Sequence, residues 1–338
     1  GLPAEKVERI YHLSDSTAIA STYGGGVLRI TRDTIIPITV EDGLPSNIVK
    51  SVTLDRENNF WIATWNGLCK FSGDKFTGYT TEDGLTSNNI LSVACDSSGT
   101  VWLGTVTGGL NYYDESGFRS LTPNNGLKSS TIWSITIANN NEIWLGTTNG
   151  PALLDTRTKR ITHPFQFFDN SIIYSILRDT AKRILLATDK GVYIIKDNQV
   201  VSNIGKNEGL KNDKVRVLFQ DSKGTIWIGT YQGLYYLTDK GAKSYNEQHG
   251  LPAAPITSII EDNKGNIIVS TYDFGVYILS GKTEKPASIL NTTTGLYSNR
   301  ILFCFIDPYN FLWIGSPEGL DAISWNGSDK GGNGVVYH

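Results

Sequence analysis

The chain has 338 residues, of which 39% are hydrophobic and 19% are charged, and its formal net charge is −3. This composition is typical of a well-packed, turn-rich protein and excludes a disordered one. Charges of both signs are spread along the chain, so nucleic acid is not an expected partner, and no apolar run approaches the ~20 residues that span a bilayer.

One pattern recurs eight times along the chain. Its reference position is a Thr or Ser, found at Thr22, Thr64, Thr105, Thr147, Thr188, Thr230, Thr271 and Ser316. Successive positions are 41 or 42 residues apart, and the last step is 45 residues. A fixed period of this length indicates a repeat protein, in which each unit needs its neighbours to bury its apolar face.

Residues 209–249 show the predicted elements of one repeat in chain order. These are a polar loop at 209–214, a strand at 215–219, a turn at 221–224, a strand at 225–228, a tight turn ending at Gly233, a strand at 234–237 and a weaker strand at 242–245. Asp221 can bond its own backbone and Gly224 can adopt positive φ, as such turns require. The repeat is therefore predicted to be a four-stranded meander.

Four-stranded repeats of about 42 residues predict an all-β fold, a single β-propeller with four-stranded antiparallel blades. Eight copies predict eight blades in one domain over residues 1–338, with seven blades plus an extra terminal repeat as the alternative. An open solenoid is the rival architecture, but all-strand solenoid repeats tend to be shorter. The fourth strand of the last blade is expected from the tail near Gly334–Tyr337, or is absent.

The most recognisable residues of the repeat are interpreted as structural. A Trp recurs in the second strand at Trp61, Trp102, Trp144, Trp227 and Trp313, where it is expected to wedge between neighbouring blades. The three cysteines fall in different repeats without CxxC spacing, so we expect small buried hydrophobic side chains rather than a disulfide or a metal site.

Residues 43–55, Gly-Leu-Pro-Ser-Asn-Ile-Val-Lys-Ser-Val-Thr-Leu-Asp, followed by Trp-Ile-Ala-Thr at 61–64 and Gly-Leu at 67–68, closely resemble the two-component regulator propeller repeat. The resemblance extends over all eight copies. That repeat builds the periplasmic sensor regions of hybrid two-component systems in Bacteroidetes, although the large sensors pair two seven-bladed propellers. The resemblance implies a non-catalytic extracytoplasmic domain, periplasmic or extracellular, that binds a ligand, often a carbohydrate.

No catalytic motif is visible in the sequence. The four histidines lie far apart, and no nucleophile elbow, P-loop or EF-hand spacing occurs. We therefore expect no enzyme activity, no cofactor and no metal. A propeller lyase or glycan-active enzyme, assembled from the loops of several blades, is the enzymatic alternative.

The informative positions are those that vary while the framework repeats. Propeller geometry is expected to bring the turns between second and third strands to one rim, and the residue after the repeated Thr or Ser is Tyr23, Trp65, Val106, Thr148, Asp189, Tyr231, Tyr272 or Pro317. Half of these are aromatic, and flat aromatic faces with polar neighbours suit sugar rings. The predicted ligand-binding residues are Tyr23, Trp65, Asn66, Tyr231, Gln232, Tyr272, Asp273 and Glu318.

The sequence thus predicts a sensor propeller whose partner is an oligosaccharide or another small ligand. A scaffold for another envelope protein, or for a second copy of the chain, is the alternative, because a rim of Tyr and Trp also serves protein recognition. The aromatic side chains could instead only cap the blades by packing on the adjacent loop.

Overall fold

A computed structural model of the chain describes residues 7–14, 17–31, 34–72, 75–114, 116–139, 141–165, 168, 170–280, 286, 288–306 and 310–325. Across these residues the chain forms eight antiparallel sheets, in each of which consecutive strands are neighbours. Seven sheets have four strands and the eighth has three described strands. The regular elements are strands and short 3-10 helices. The predicted all-β fold, an eight-bladed propeller, is confirmed.

The first four sheets have these bounds. The first contains β1 (Val7–Ser14), β2 (Thr17–Thr22), β3 (Val27–Thr31) and β4 (Ile35–Ile38). The second contains β5 (Val49–Leu54), β6 (Phe60–Thr64), β7 (Gly67–Ser72) and β8 (Lys75–Tyr79). The third contains β9 (Ile90–Cys95), β10 (Val101–Thr105), β11 (Leu110–Asp114) and β12 (Gly117–Leu121). The fourth contains β13 (Ile132–Asn139), β14 (Glu142–Thr147), β15 (Gly150–Asp155) and β16 (Ile161–Thr162).

The remaining sheets follow the same order. The fifth contains β17 (Ile173–Arg178), β18 (Ile184–Thr188), β19 (Gly191–Lys196) and β20 (Gln199–Ile204). The sixth contains β21 (Val215–Gln220), β22 (Ile226–Thr230), β23 (Gly233–Thr238) and β24 (Gly241–Tyr245). The seventh contains β25 (Ile256–Glu261), β26 (Ile267–Thr271), β27 (Gly275–Leu279) and β28 (Ser288–Leu290). The eighth contains β29 (Phe303–Ile306), β30 (Phe311–Gly315) and β31 (Leu320–Ser324), and the strand predicted near Gly334–Tyr337 lies outside the described residues.

Short 3-10 helices precede several sheets and explain the recurrent Gly-Leu pair. Their bounds are Val40–Asp42, Thr81–Asp83, Pro123–Asn125, Glu247–His249 and Thr292–Thr294. At the first of them the Thr39 hydroxyl accepts a hydrogen bond from the backbone of Glu41, and Gly43 ends the helix with φ 109°. A non-glycine residue would be strained in that conformation. The next residue, Leu44, is 4% exposed, and the leucines that follow the other four helices are buried as well. The Gly-Leu pair after each of these helices therefore ends the helix and inserts a side chain into the core.

The chain divides into two compact units, one comprising residues 1–20, 30–35 and 179–338, the other residues 21–29 and 36–178. In the second unit the core between the second and third sheets includes Trp61, Leu68, Leu85, Ile90 and Leu103. In the first unit the core between the seventh and eighth sheets includes Ile268, Ile278, Leu296, Ile301 and Ile314. A single domain over 1–338 stays a prediction.

In the second, third and sixth sheets the recurrent Trp is anchored by the Asp of the turn that precedes its strand. The indole Nε1 of Trp61 donates to Asp55 Oδ2 at 2.9 Å, and that of Trp102 donates to Asp96 Oδ2 at 2.7 Å. Trp102 is fully buried. Partial burial of Asp55 opposes its ionisation, but hydrogen bonds from Asn59, Trp61 and the backbone outweigh this and lower its pKa. The recurrent Trp is therefore a packing residue, as predicted.

The seventh sheet keeps the turn Asp but has Ile268 in place of the Trp. Here Asp262 Oδ2 accepts instead from the indole Nε1 of Trp325, at 3.0 Å, and the carboxylate is 6% exposed. Trp325 follows the last described strand of the eighth sheet. The same anchoring bond is thus made within a sheet at Trp61, Trp102 and Trp227, and between two sheets in this one.

Candidate functional site

The turn that joins the second and third strands of a sheet, called here the second turn, is fixed by the repeated Thr or Ser. At all eight reference positions the side-chain hydroxyl donates to the carbonyl oxygen of a glycine three or four residues later, at 2.6 to 3.1 Å. These eight side chains are at most 1% exposed. The second turn is therefore fixed by a buried hydrogen bond between the reference hydroxyl and the glycine carbonyl.

The residue after the reference position is also held through its backbone. The amide of Trp65 donates to the carbonyl of Ile48 at 2.9 Å, and that of Tyr231 donates to the carbonyl of Lys214 at 3.2 Å. The amide of Tyr272 donates to the carbonyl of Pro255 at 3.0 Å. With backbone and turn both fixed, the side chain at this position is presented outward in the same way in several sheets.

The four predicted aromatic residues are exposed. Tyr23 is 43% exposed, Trp65 40%, and Tyr231 and Tyr272 are each 38% exposed. For comparison, the framework Trp102 is fully buried. These rings retain more accessible surface than residues that complete a core, and this surface is available for stacking on a ligand.

Two of these aromatic positions have a cation from the first strand of the same sheet against them. Lys50 Nζ lies 4.7 Å from the Tyr23 ring centroid and 5.4 Å from the Trp65 ring centroid. Arg216 Cζ lies 5.2 Å from the Tyr231 ring centroid. These distances are in the range of cation–π contacts. Lys50 Nζ thus lies against the rings of both Tyr23 and Trp65, and neither Lys50 nor Arg216 was among the predicted binding residues.

A constant spacing connects the two members of each pair. Lys50 precedes Trp65 by 15 residues, and Arg216 precedes Tyr231 by the same number. The equivalent pairs elsewhere in the sequence are Glu8–Tyr23, Leu91–Val106, Trp133–Thr148, Tyr174–Asp189, Thr257–Tyr272 and Leu302–Pro317. The cations could therefore have been found from the sequence by reading the first-strand residue together with the residue of the second turn.

The predicted polar residues divide into two kinds. The Asn66 backbone donates to Thr64 Oγ1 at 3.2 Å, and its side-chain amide lies 3.5 Å from the carbonyl of Pro45, so Asn66 ties the turn to the preceding loop. Gln232 makes the corresponding backbone bond, to Thr230 Oγ1 at 3.0 Å, and its side chain is exposed.

Asp273 and Glu318 are brought together by an arginine. Arg300 Nε lies 3.7 Å from Asp273 Oδ1, and Arg300 Nη1 lies 4.0 Å from Glu318 Oε1. All three side chains are exposed, so these ion pairs contribute little to stability. Arg300 therefore neutralises much of the negative charge that these two carboxylates would present to a ligand.

Further exposed aromatic side chains were missed in the sequence. Trp133, in β13, is 43% exposed. Phe274, in the second turn of the seventh sheet, is 47% exposed, and Tyr297, in the loop before the eighth sheet, is 61% exposed. The search of the position after the reference Thr or Ser does not identify them because none of the three occupies that position.

The opposite end of the strands carries a different feature, a groove of ≈ 530 Å³ between the second and third sheets. Asp55, Trp61, Lys70 and Asp114 contribute to its lining. Lys70 Nζ lies 5.1 Å from the Trp61 ring centroid, so a side chain of the protein already covers this indole. In the equivalent place on the third sheet, Lys159 Nζ lies 4.5 Å from the Trp102 ring centroid, and burial lowers the Lys159 pKa.

The titratable residues that could support chemistry are dispersed. Cys69, Cys95 and Cys304 are free thiols, and burial raises the pKa of Cys69 to about 12 and that of Cys95 to about 11. His163 Nε2 lies 2.7 Å from the carbonyl oxygen of Gly126, and His249 Nδ1 accepts from the Asn246 backbone at 3.1 Å. Among the described residues no group of three or more His, Cys, Asp and Glu could hold a metal ion. The described part of the chain also has no helix long and apolar enough to cross a membrane.

Comparison with known proteins identifies the class of repeat. Residues 43–66, 84–107, 209–232 and 250–273 match the sequence profile of the two component regulator propeller. The predicted resemblance to the two-component regulator propeller repeat is therefore confirmed over these four stretches.

Individual relatives agree with this assignment. A histidine kinase of Formosa agariphila is 32% identical over 125 residues, which are 35% of this chain and 9% of the kinase. The extracellular domain of a hybrid two component system from B. thetaiotaomicron superposes with a TM-score of 0.58 at 20% identity, covering 93% of this chain and 50% of that one. The chain thus spans half or less of these relatives.

The same fold also occurs in an enzyme. Virginiamycin B lyase from Staphylococcus aureus superposes with a TM-score of 0.59 at 13% identity, covering 80% of this chain and 92% of the lyase. At such identities a structural likeness shows the fold alone, and function has to be argued from the site.

Proposed function

We propose that this propeller is a non-catalytic sensor domain outside the cytoplasm, and that it binds a carbohydrate through the aromatic side chains of its second turns. The proposal rests on the difference in solvent exposure between two consecutive residues of the second turn. The reference Thr or Ser is buried in every repeat, whereas the next residue is an exposed Tyr or Trp in half of them.

Sugars suit such a surface for a physical reason. A pyranose ring has an apolar C–H face, which stacks on an aromatic ring, and a rim of hydroxyl groups, which exchange hydrogen bonds with neighbouring amides. Trp65 with Asn66 and Tyr231 with Gln232 each place an amide next to an exposed ring. Because the turn beneath is fixed by buried hydrogen bonds, little conformational entropy is lost on binding.

The comparisons support the sensor role and the location. The solved structure from B. thetaiotaomicron is an extracellular domain of a two component system, and the Formosa agariphila relative is a histidine kinase. The dispersed thiols and histidines support a non-catalytic role, because neighbouring nucleophile and base side chains are the usual mark of covalent catalysis.

The test is titration calorimetry of the full chain against an oligosaccharide panel. We expect Trp65→Ala and Tyr231→Ala each to weaken binding by about 1–3 kcal/mol, by analogy with base–aromatic stacking, with unchanged thermal unfolding. Trp61→Phe, which alters the groove at the other end of the strands, is the control and should leave affinity unchanged. Unaltered affinity in both alanine variants would contradict the proposal, and loss of affinity in Trp61→Phe alone would move the site to that groove.

A second candidate function is docking of another protein at the seventh and eighth sheets. Tyr272, Phe274 and Tyr297 are exposed there beside Arg300, and aromatic and Arg side chains are enriched at protein interfaces. A Phe274→Ala/Tyr297→Ala variant that keeps glycan affinity but loses a partner protein in a pull-down would favour this function. Retention of every captured protein would exclude it.

A further inference from the structure

We infer that the subsite formed by Arg216 and Tyr231 recognises an acidic sugar, one that carries a carboxylate or a sulfate ester. The inference rests on the proposed function, because it specifies the ligand of one of the proposed binding turns. It adds the charge of the ligand, which exposed aromatic rings alone do not determine.

Arg216 is placed to meet a ligand. Its side chain is exposed in β21, and its guanidinium lies 5.2 Å from the centroid of the exposed Tyr231 ring. Among the described residues, none of the ion pairs found engages Arg216. Contact with the ring restricts the side chain while leaving guanidinium N–H groups available, and these can bind a carboxylate or sulfate through two parallel hydrogen bonds.

The loop in front of this strand is basic. Lys211 and Lys214 are exposed. Its acidic side chains are engaged within the loop, since Glu208 Oε2 accepts from the Gly205 backbone at 2.9 Å and Asp213 Oδ2 lies 3.5 Å from Lys206 Nζ. Residues 205–216 carry four cationic and two acidic side chains, and the backbone of Lys214 accepts from that of Tyr231, so the net charge of +2 beside this ring favours an anionic ligand over a neutral one.

The second sheet repeats this arrangement with different residues. Lys50 takes the position of Arg216, and Trp65 that of Tyr231, with Lys50 Nζ 5.4 Å from the Trp65 ring centroid. In the seventh sheet the equivalent position holds Thr257, so Tyr272 has no cation from its own first strand. A cation of the same sheet therefore accompanies Trp65 and Tyr231 but not Tyr272, so it is not a requirement of the fold at this position. Lys50 also lies against Tyr23 of the first sheet.

The experiment measures the affinity of the full chain for three tetrasaccharides of equal length at low ionic strength. These are a galacturonate oligomer with carboxylates only, a sulfated galactan oligomer with sulfate esters only, and a neutral galactan oligomer. We expect at least one acidic oligomer to bind about tenfold more tightly than the neutral one, as a charged hydrogen bond provides. The tighter of the two identifies the anionic group.

Variants assign the preference to Arg216. Arg216→Gln should remove the preference for the acidic oligomer while leaving affinity for the neutral one, and Arg216→Lys should retain part of it. Lys243→Gln is the matched control, because Lys243 is an exposed cation of the same sheet, with Nζ 5.9 Å from the Tyr236 ring centroid, and lines a second groove, between the sixth and seventh sheets, at the end of the strands away from Tyr231. It removes the same charge and should leave the preference intact.

The possible failures are distinguishable. Equal affinity for neutral and acidic oligomers, unchanged in Arg216→Gln, would overturn this inference and leave the proposed function standing. An acidic preference lost equally in Lys243→Gln, or lost in Lys50→Gln but not in Arg216→Gln, would overturn the assignment to Arg216. Absence of binding to every oligosaccharide of the wider panel would overturn both.

Discussion

The bond between the turn Asp and the strand Trp should contribute measurably to the stability of a sheet. Trp102 Nε1 donates to Asp96 Oδ2 at 2.7 Å, and the indole and the carboxylate are 0% and 6% exposed. Trp102→Phe keeps an aromatic ring in the core but removes the donor. The buried carboxylate then loses a hydrogen bond that water cannot readily replace.

The fourth sheet offers a natural control. Trp144 occupies the same place and is 3% exposed, but six residues earlier the chain has Ala138 where Asp96 would stand. Trp144→Phe therefore loses ring area without losing an Asp partner. A hydrogen bond to a charged group contributes about 1.5–3 kcal/mol, so we expect Trp102→Phe to lower the free energy of unfolding by that much more than Trp144→Phe.

The assay is equilibrium unfolding in urea followed by far-UV circular dichroism, which does not depend on Trp fluorescence. Both residues lie in the compact unit that contains residues 36–178, so both variants report on the same part of the chain. Asp96→Ala combined with Trp102→Phe should show strong coupling, because the two residues share one bond. Equal destabilisation by Trp102→Phe and Trp144→Phe would refute the reasoning.

Two further predictions concern the framework. Thr230→Val removes a buried hydroxyl that donates to Gly233 O at 2.9 Å and should lower the free energy of unfolding by about 1–3 kcal/mol. Thr238→Val removes the same kind of bond in an exposed turn and should lower it clearly less. Equal losses of stability on thermal unfolding would contradict this prediction. Burial raises the Cys69 pKa from 9.0 to about 12, so the folded state disfavours the thiolate and stability should fall as the pH rises through this interval. Cys69→Ala should reduce that fall by up to about 1.4 kcal/mol per pH unit, and identical slopes above pH ~9 in urea titrations would contradict it.

The fold could be predicted from the sequence because the residues that define the repeat interact with residues close to them in the chain. Asp221 and Gly224 form their turn within four residues, and the Thr230 hydroxyl bonds a carbonyl three residues away. Such interactions depend on nearby residues only, so they can be read from one repeat and checked against the others. The bond from Trp325 to Asp262 spans 63 residues, and no local pattern could have indicated it.

Only the part of the candidate site that depends on residues close together in the chain was predicted. The exposed aromatic residues occupy a fixed place after the reference Thr or Ser, so they were found. Lys50 and Arg216 lie on another strand, and their contact with Trp65 and Tyr231 follows from the pairing of first and second strands. The role of Asn66 depends on the carbonyl of Pro45, which is 21 residues away and becomes a neighbour only in the folded chain.

A repeat protein of this kind can acquire ligand specificity at a position where the side chain varies between repeats while the backbone is held in the same conformation. The buried Thr or Ser under each second turn is kept in all eight repeats, so the residue above it can change without loss of the turn. Fifteen residues before the residue that follows the reference Thr or Ser, the sequence has a lysine, an arginine, a glutamate, a threonine, a tyrosine, a tryptophan or a leucine. Substitutions at the pair should therefore alter ligand choice while leaving stability nearly constant, and substitutions at the reference Thr should do the reverse.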